Sequence, residues 1–175
     1  MKIKTIPILV TIIFFIIFII FYKGLQNSNI YTPQINPKKD IPLFNVKIFD
    51  SKKEINSKEI FKTNQLYLMN IWASWCLPCR DEHFFLMNFK NQESIEVIGL
   101  NYKDNYKNAK KFLKELGNPY KMILSDEDGT ISIEWGAYGV PETFLIYNKK
   151  IIKKIVGPLN ENLVKEINEL INEVY

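Results

Sequence analysis

The stretch "WASWCLPCRDEH", from Trp72 to His83, holds both cysteines of the chain, Cys76 and Cys79. It overlaps the end of "QLYLMNIWA", a mostly apolar run that is typical of a buried β-strand. The residues from Cys79 to about Asn91 have the apolar spacing of a helix, with acidic residues in its first turns. The two cysteines are therefore predicted to lie where a buried strand ends and a helix begins.

The order of the remaining elements predicts an α/β domain. A short strand, "NVKIF", precedes the motif, and the strand "SIEVIGLNY", the amphipathic helix "YKNAKKFLKELG" and the strand "KMILSD" follow it. Next come "TISIEWGA", which fits a short helix or an irregular segment equally well, and the hairpin "TFLIYNKKIIKKIVG". The chain ends in a helix, "NENLVKEINELINEV", with Asn160 as its cap. This alternation predicts a mixed sheet flanked by helices.

The first 23 residues are predicted to form a membrane anchor. Residues 6–22, "IPILVTIIFFIIFIIFY", carry no charge, and as a helix they would reach roughly 25 Å, near the lower limit for a bilayer core. A cleaved signal peptide is the alternative, although "KGLQNSNI" offers no convincing cleavage site. Lys2 and Lys4 favour a cytoplasmic N-terminus. We therefore expect a single pass through the inner membrane, with the following domain in the periplasm.

The rest of the chain is predicted to be a linker and one folded domain. Residues 24–42 are polar and contain three prolines, which predicts a linker with some polyproline stiffness. Residues 43–175 then form the domain, which we expect to be a monomer. The formal net charge is +4, but the lysines that flank the apolar run account for most of it. The charge therefore argues against a nucleic-acid partner.

The cysteine pair admits four interpretations. A structural zinc site needs four ligands, and the chain has only two cysteines and one histidine. Covalent haem attachment needs a histidine after the second cysteine, where this chain has Arg80. A purely structural disulfide between positions three apart would constrain the unfolded chain very little. The favoured interpretation is a reversible dithiol, which requires neither metal nor cofactor.

The predicted position of the pair suggests a division of roles. Cys76, at the start of the helix, would have its thiolate stabilised by unpaired amides and the helix dipole, so it is the expected attacking sulfur. Cys79, almost one turn later and more buried, would resolve the mixed disulfide. Pro78 fits the first helical turn. Trp75 is predicted to shield one side of the reactive sulfur, whereas Trp72 is assigned to packing.

A proline precedes the hairpin in "GVPETFLI". An X–Pro bond costs only about 0.5–1 kcal/mol to be cis, so a tight turn at Pro141 opposite the cysteines is accessible. The residues alone leave two possibilities, this cis turn or an ordinary proline at the start of a strand.

Several segments together resemble a known family. "WASWCLPC" with "GVPETF" resembles the thioredoxin fold, and "CRDEH", "GLNYKD", "KELGNPY", "DEDG" and "GAYGVPETFLIYN", in this order, resemble the CcmG/DsbE proteins. These are membrane-anchored thiol:disulfide interchange proteins of cytochrome c maturation, and the similarity runs from Pro42 to the C-terminus. The resemblance implies a thioredoxin-like fold in which Cys76 attacks, Cys79 resolves and Pro141 is cis beside the active site.

The same resemblance implies a substrate groove. Val140 would present its backbone to an extended substrate segment, as in strand addition. Trp75, Tyr138 and Glu142 would line the groove.

Glu82 matches the acidic residue of the family's active site. Thioredoxin itself carries an acidic residue in the strand before the motif, where this chain has Asn70, so we expect Glu82 to handle the proton of Cys79. The alternative is that Glu82 lies on a solvated helix face. His83 is expected at the surface.

The direction of electron flow follows from the same residues. The spacer Leu77–Pro78 and the nearby Glu82 favour a reductant over a strong oxidant. The resemblance implies a substrate disulfide in the C-x-x-C-H segment of apocytochrome c or in a cytochrome c maturation thiol protein, and a membrane electron donor of the DsbD/CcdA type. Two alternatives stay open: a general extracytoplasmic thioredoxin-like reductase or oxidase, and a non-catalytic apocytochrome-binding module.

Overall fold

A computed structural model describes residues 5–26, 39–51 and 53–174 of the chain. The chain divides into two compact units, with the boundary after Gln34. The first unit contains the helix α1, Thr5–Gln26, which ends beyond the predicted anchor boundary at residue 23. Most of the predicted linker, 24–42, lies outside the described residues.

Within the described residues, no helix combines the length and the apolar character needed to cross a membrane.

The second unit is an α/β domain. Its strands are β1 (Lys39–Asp40), β2 (Asn45–Ile48), β3 (Glu54–Asn56), β4 (Leu66–Trp72), β5 (Ile95–Tyr102), β6 (Met122–Asp126), β7 (Glu142–Tyr147) and β8 (Lys150–Val156). Its helices are α2 (Ser57–Ile60), α3 (Leu77–Lys90), α4 (Tyr106–Leu116), α5 (Thr130–Glu134) and α6 (Glu161–Val174). The described strands form one sheet in the order β1-β8-β7-β4-β5-β6-β2-β3. Because β4, β5 and β6 are parallel and β7 is antiparallel to β4, the predicted mixed sheet is confirmed.

The strand before the cysteines lies in the middle of this sheet. All seven residues of β4 are buried, and their side chains alternate between the two faces of the sheet. Leu66, Leu68 and Trp72 join a core cluster with residues of α3, α4 and α6. Tyr67, Met69 and Ile71 join a second cluster, which includes Trp135. The continuous apolar run in the sequence therefore reflects a strand that is covered on both faces.

Short elements account for the differences from the predicted order. The undecided segment "TISIEWGA" contains the helix α5. The strand β1 falls inside the predicted linker and pairs with β8, and Ile41 beyond it is buried. The elements β3 and α2 were not predicted, although Asn56 and Glu59 form a capping box at α2. Elements of two to four residues are too short to produce a periodic pattern of apolar residues.

Candidate redox site

The two cysteines lie at the junction of β4 and α3. Cys76 is the N-cap residue of α3 and forms a disulfide with Cys79, with 5.3 Å between their Cα atoms. The backbone N–H of Cys79 donates to Cys76 Sγ over 3.1 Å. A donor of this kind, together with the start of the helix, stabilises a thiolate at Cys76 once the disulfide is reduced. In the disulfide form Cys76 is 4% exposed and Cys79 is 2% exposed.

The loop before Cys76 is held by the residues that follow β5. Asp104 accepts hydrogen bonds from the Ser74 N–H at 2.5 Å and the Ser74 hydroxyl at 2.6 Å. Trp75 is 59% exposed, and its indole N–H donates to the carbonyl of Lys103 over 3.1 Å. The sequence reasoning did not identify Asp104. Its position just after β5, a strand that is parallel to β4 and next to it, was the signal that could have found it.

Trp72 has the packing role that was predicted for it. It is 1% exposed, and its ring lies against Tyr120 and Phe112, with centroids 5.4 and 5.2 Å away. The two tryptophans of the motif therefore differ, since Trp72 belongs to the core and Trp75 faces solvent.

The Val140–Pro141 peptide bond is cis, which decides between the two possibilities that the residues alone left open. In the ladder between β4 and β7, Ile71 pairs with Glu142. Pro141 therefore lies beside the end of β4, where the cysteine loop begins. Within the described part of the chain, the backbone N–H and carbonyl of Val140 have no backbone hydrogen-bond partner.

Glu82 is completely buried, so the alternative of a solvated helix face is wrong. Its Oε1 accepts a hydrogen bond from Asn70 Nδ2 at 2.7 Å, and its Oε2 accepts one from the Leu159 N–H at 2.8 Å. Burial raises the pKa of Glu82 to about 7, although these two donors act to lower it. Glu82 and Cys79 are three residues apart in α3, so they share one helix face.

Asn70 is the centre of the hydrogen-bond network around Glu82. Its Nδ2 also donates to Thr143 Oγ1 at 3.0 Å, and its Oδ1 accepts from the hydroxyl of Tyr120 at 2.9 Å. Burial, and to a lesser extent the charge of Glu82, raises the pKa of Tyr120 well above its ordinary value, so the hydroxyl stays protonated and donates. The Tyr120 donor fixes the amide with its nitrogen toward Glu82. The sequence reasoning identified Asn70 but missed Tyr120 and Leu159.

His83 was expected at the surface, and this expectation is wrong. The residue is 3% exposed, its Nε2 lies 3.0 Å from the carbonyl oxygen of Gly117, and its ring packs edge-on against Phe112. Burial lowers the pKa of His83. The reason is that α4 and the residue that ends it cover this face of α3.

Of the predicted groove residues, Tyr138 is 64% exposed, whereas Glu142 is 1% exposed. Oε1 of Glu142 accepts hydrogen bonds from the N–H groups of Tyr138 at 2.7 Å and Gly139 at 3.2 Å. The prediction that Glu142 lines an open groove is therefore wrong, because the loop before Pro141 folds over its carboxylate. Glu142 instead supports this loop from the inside.

Known proteins are similar to this chain in sequence and in fold. The family model described as Redoxin matches residues 37–171. The thiol:disulfide interchange protein DsbE of Escherichia coli (strain K12) is 40% identical over 129 residues, which cover 73% of this chain and 69% of that protein. The thiol:disulfide interchange protein HelX of Rhodobacter capsulatus is 34% identical over 148 residues, covering 83% of each chain.

A solved structure shows the same fold. The crystal structure of a DsbE-type thiol:disulfide interchange protein from Chlorobium tepidum superimposes with a TM-score of 0.67 at 23% identity, covering 81% of this chain and 99% of that one. The thioredoxin-like fold that the motifs predicted is confirmed. Given the extent of the matched region and the identity to its relatives, the chain belongs to the Redoxin family, among the thiol:disulfide interchange proteins of the DsbE type, and is a thiol:disulfide oxidoreductase.

Proposed function

We propose that this oxidoreductase is a reductant of cytochrome c maturation. Its substrate is the disulfide of the haem-binding C-x-x-C-H segment of apocytochrome c, or the same disulfide held by a maturation thiol protein. The main support is that the segments resembling the CcmG/DsbE family converge on the cysteines. Asp104 of "GLNYKD" holds Ser74, Tyr120 of "KELGNPY" orients Asn70, and Pro141 of "GVPETF" lies beside the end of β4.

The proposed reaction is a two-step disulfide exchange. The Cys76 thiolate attacks one sulfur of the substrate disulfide, forms a mixed disulfide and releases the other substrate sulfur as a thiolate. Cys79 then attacks Cys76 Sγ, which releases the second substrate thiol and leaves the Cys76–Cys79 disulfide. The substrate gains two electrons, and the protein loses two. Reduction thereby frees both substrate thiols for haem attachment.

Glu82 is the proposed acceptor of the Cys79 proton during the second step. A base works best when its pKa lies near the working pH, and burial raises the pKa of Glu82 to about 7. The charged carboxylate also disfavours a lasting thiolate at Cys79. A reduced form without a strongly stabilised thiolate pair gives up its electrons more readily, which supports the role of a reductant.

The proposed docking mode is strand addition at Val140. An extended peptide pairs with the backbone of Val140 next to Pro141, and the exposed rings of Trp75 and Tyr138 flank it. After the reaction, a membrane electron donor of the DsbD/CcdA type returns two electrons through its own dithiol and restores the reduced protein.

Substrate preference tests the proposed function. We expect kcat/KM for a disulfide-bonded C-x-x-C-H peptide to exceed that for insulin by about tenfold or more, a ratio that a few added contacts can supply. A matched peptide with alanine in place of the histidine is the control for the haem-site sequence. Equal kcat/KM values for insulin and both peptides would instead identify a general disulfide reductase.

We also propose residues 1–23 as an uncleaved anchor in the inner membrane and residues 24–38 as its linker. The proposed monomeric periplasmic domain begins at β1 and not at residue 43, because Lys39–Asp40 pairs with β8 and Ile41 is buried. The absence of charged side chains from residues 6–22 supports the anchor. The full chain is expected to stay in the membrane pellet after an alkaline carbonate wash, with its original N-terminus by mass spectrometry. Release into the supernatant, or a new N-terminus after residue 23, contradicts the anchor.

A further inference from the structure

Lys154 of β8 is a buried cation beside the loop that leads to Pro141. Its side chain is 7% exposed, and its Nζ lies 2.7 Å from Glu142 Oε2. The same ammonium donates to the carbonyl oxygen of Gly136 at 2.7 Å and lies 4.4 Å from the centre of the Tyr138 ring. A long cationic side chain is seldom buried to this extent unless it is paired. These three contacts are what allow Lys154 to be buried here.

The ammonium also acts on the loop through Glu142. One carboxylate oxygen of Glu142 accepts the N–H groups of Tyr138 and Gly139. Apart from the Lys154 ammonium 2.7 Å away, the other oxygen, Oε2, has no hydrogen-bond partner among the described residues, so Lys154 is what compensates its charge. A buried carboxylate that loses its only counter-charge is strongly unfavourable. Lys154 therefore holds residues 136–139 both directly and through Glu142.

Residues 136–139, which Lys154 holds in place, lead directly to the proposed docking site at Val140. Val140 follows Gly139 directly, and its backbone groups have no backbone partner within the described part of the chain. A peptide that adds to such an edge loses less free energy to ordering when the edge is already rigid. The exposed ring of Tyr138, which lies over the Lys154 ammonium, is held in place at the same time.

We propose that Lys154 is a positioning residue for substrate binding. Together with Glu142 it fixes the loop 136–139, so that Val140 and Tyr138 are ready to receive an extended peptide that carries a disulfide. It sets the affinity for that peptide and takes no part in the exchange between sulfur atoms. This inference deepens the proposed function, since it rests on docking at Val140.

The test uses Lys154→Met in the full chain. We expect KM for the C-x-x-C-H peptide disulfide to rise by about tenfold as the loop loses its preorganisation, while kcat and the reduction potential of the Cys76–Cys79 pair stay at their original values. KM for a small disulfide such as oxidised glutathione, which has no extended strand to dock, should not change. Lys154→Arg, which keeps the charge, should retain most of the peptide affinity.

Lys153→Met is the matched control. Lys153 is the neighbouring residue of β8, and it forms an ion pair with Glu166 away from the loop. Its replacement should leave every KM unchanged. An unchanged peptide KM in Lys154→Met, or an equal rise for oxidised glutathione, overturns the inference.

A double variant addresses the case in which Lys154→Met fails to fold. In Lys154→Met with Glu142→Gln no carboxylate is left without a counter-charge, and the glutamine oxygen can still accept the two amides. The raised peptide KM should persist, because Gly136 and Tyr138 still lack the ammonium; a return to the original KM overturns the inference. Failure of the proposed function appears differently, as no preference of the unmodified protein for the C-x-x-C-H peptide over insulin.

Discussion

Cys79→Ala is expected to capture the physiological substrate in a covalent complex. The variant keeps the attacking sulfur of Cys76 but lacks the thiol that cleaves the mixed disulfide from within. Release must then wait for an external thiol, and it should slow by about a thousandfold or more, because an oriented neighbouring group reacts at an effective concentration far above that of a free reagent. The complex should appear on a non-reducing gel of native membranes and disappear on reduction.

Two further variants control this experiment. Cys76→Ala should form no complex and should have no reductase activity, since the remaining Cys79 is buried and lies inside α3. The double variant Cys76→Ala with Cys79→Ala should likewise form no complex and have no reductase activity. Mass spectrometry of the captured partner distinguishes apocytochrome c from a maturation thiol protein. A Cys79→Ala variant that captures nothing, although it folds and its Cys76 reacts with iodoacetamide, supports a static binding module and contradicts the enzymatic mechanism.

Glu82 is expected to make the free energy of unfolding depend on pH. Burial raises the pKa of Glu82 from 4.5 to about 7 on folding. Between these values the folded protein keeps a proton that the unfolded chain has released, so the free energy of unfolding falls as the pH rises and becomes constant above about 7. The loss is about 3 kcal/mol, at about 1.4 kcal/mol for each pKa unit.

Glu82→Gln removes this dependence and allows it to be measured. Urea unfolding of the oxidised full chain between pH 4 and pH 8, followed by tryptophan fluorescence, gives both curves. His83 has a lowered pKa, so its contribution makes the free energy of unfolding rise with pH up to its ordinary value of 6.5 and stay constant above it. This slope is opposite to that of Glu82, and it cancels in the difference between the two proteins. Asp81→Asn changes the exposed neighbour and is the matched control. Parallel curves for the original protein and Glu82→Gln would disprove the raised pKa.

The same variant tests the link between Glu82 and Cys79. A neutral glutamine no longer opposes the thiolate, so the thiol pKa of Cys79 in the reduced protein should decrease. An unchanged thiol titration would mean that the carboxyl acts on stability alone.

The strands, the helix after the motif and the position of the cysteines could be predicted from the sequence because each is a local pattern. The apolar run of β4 and the amphipathic spacing of α4 and α6 are visible within a single window of residues. The cis bond before Pro141 could not be predicted from the local residues alone, because they allow both the cis and the trans state. Only the resemblance to a known family favoured the cis state. The structure agrees with that choice.

The surroundings of the charged residues could not be predicted because they depend on distant parts of the chain. Glu82 is buried by a segment whose amide donor, Leu159, is 77 positions away, and His83 is covered by Gly117, 34 positions away. Lys154 lies in the run "KKIIKK", which resembles a solvated strand face until β8 is placed beside the loop of Tyr138. A sequence pattern shows that a helix or strand has faces, but not which charged side chain its neighbours will enclose.

The hydrogen bond from the Leu159 amide to Glu82 can form only late in synthesis, because Leu159 is 77 positions after Glu82. A ribosome that adds about 5–20 residues per second needs on the order of ten seconds to pass from the second cysteine to this leucine. Throughout that interval the growing chain already contains both cysteines, while Glu82 still lacks its second donor. The surroundings of Glu82 are therefore complete only after nearly the whole chain has been made.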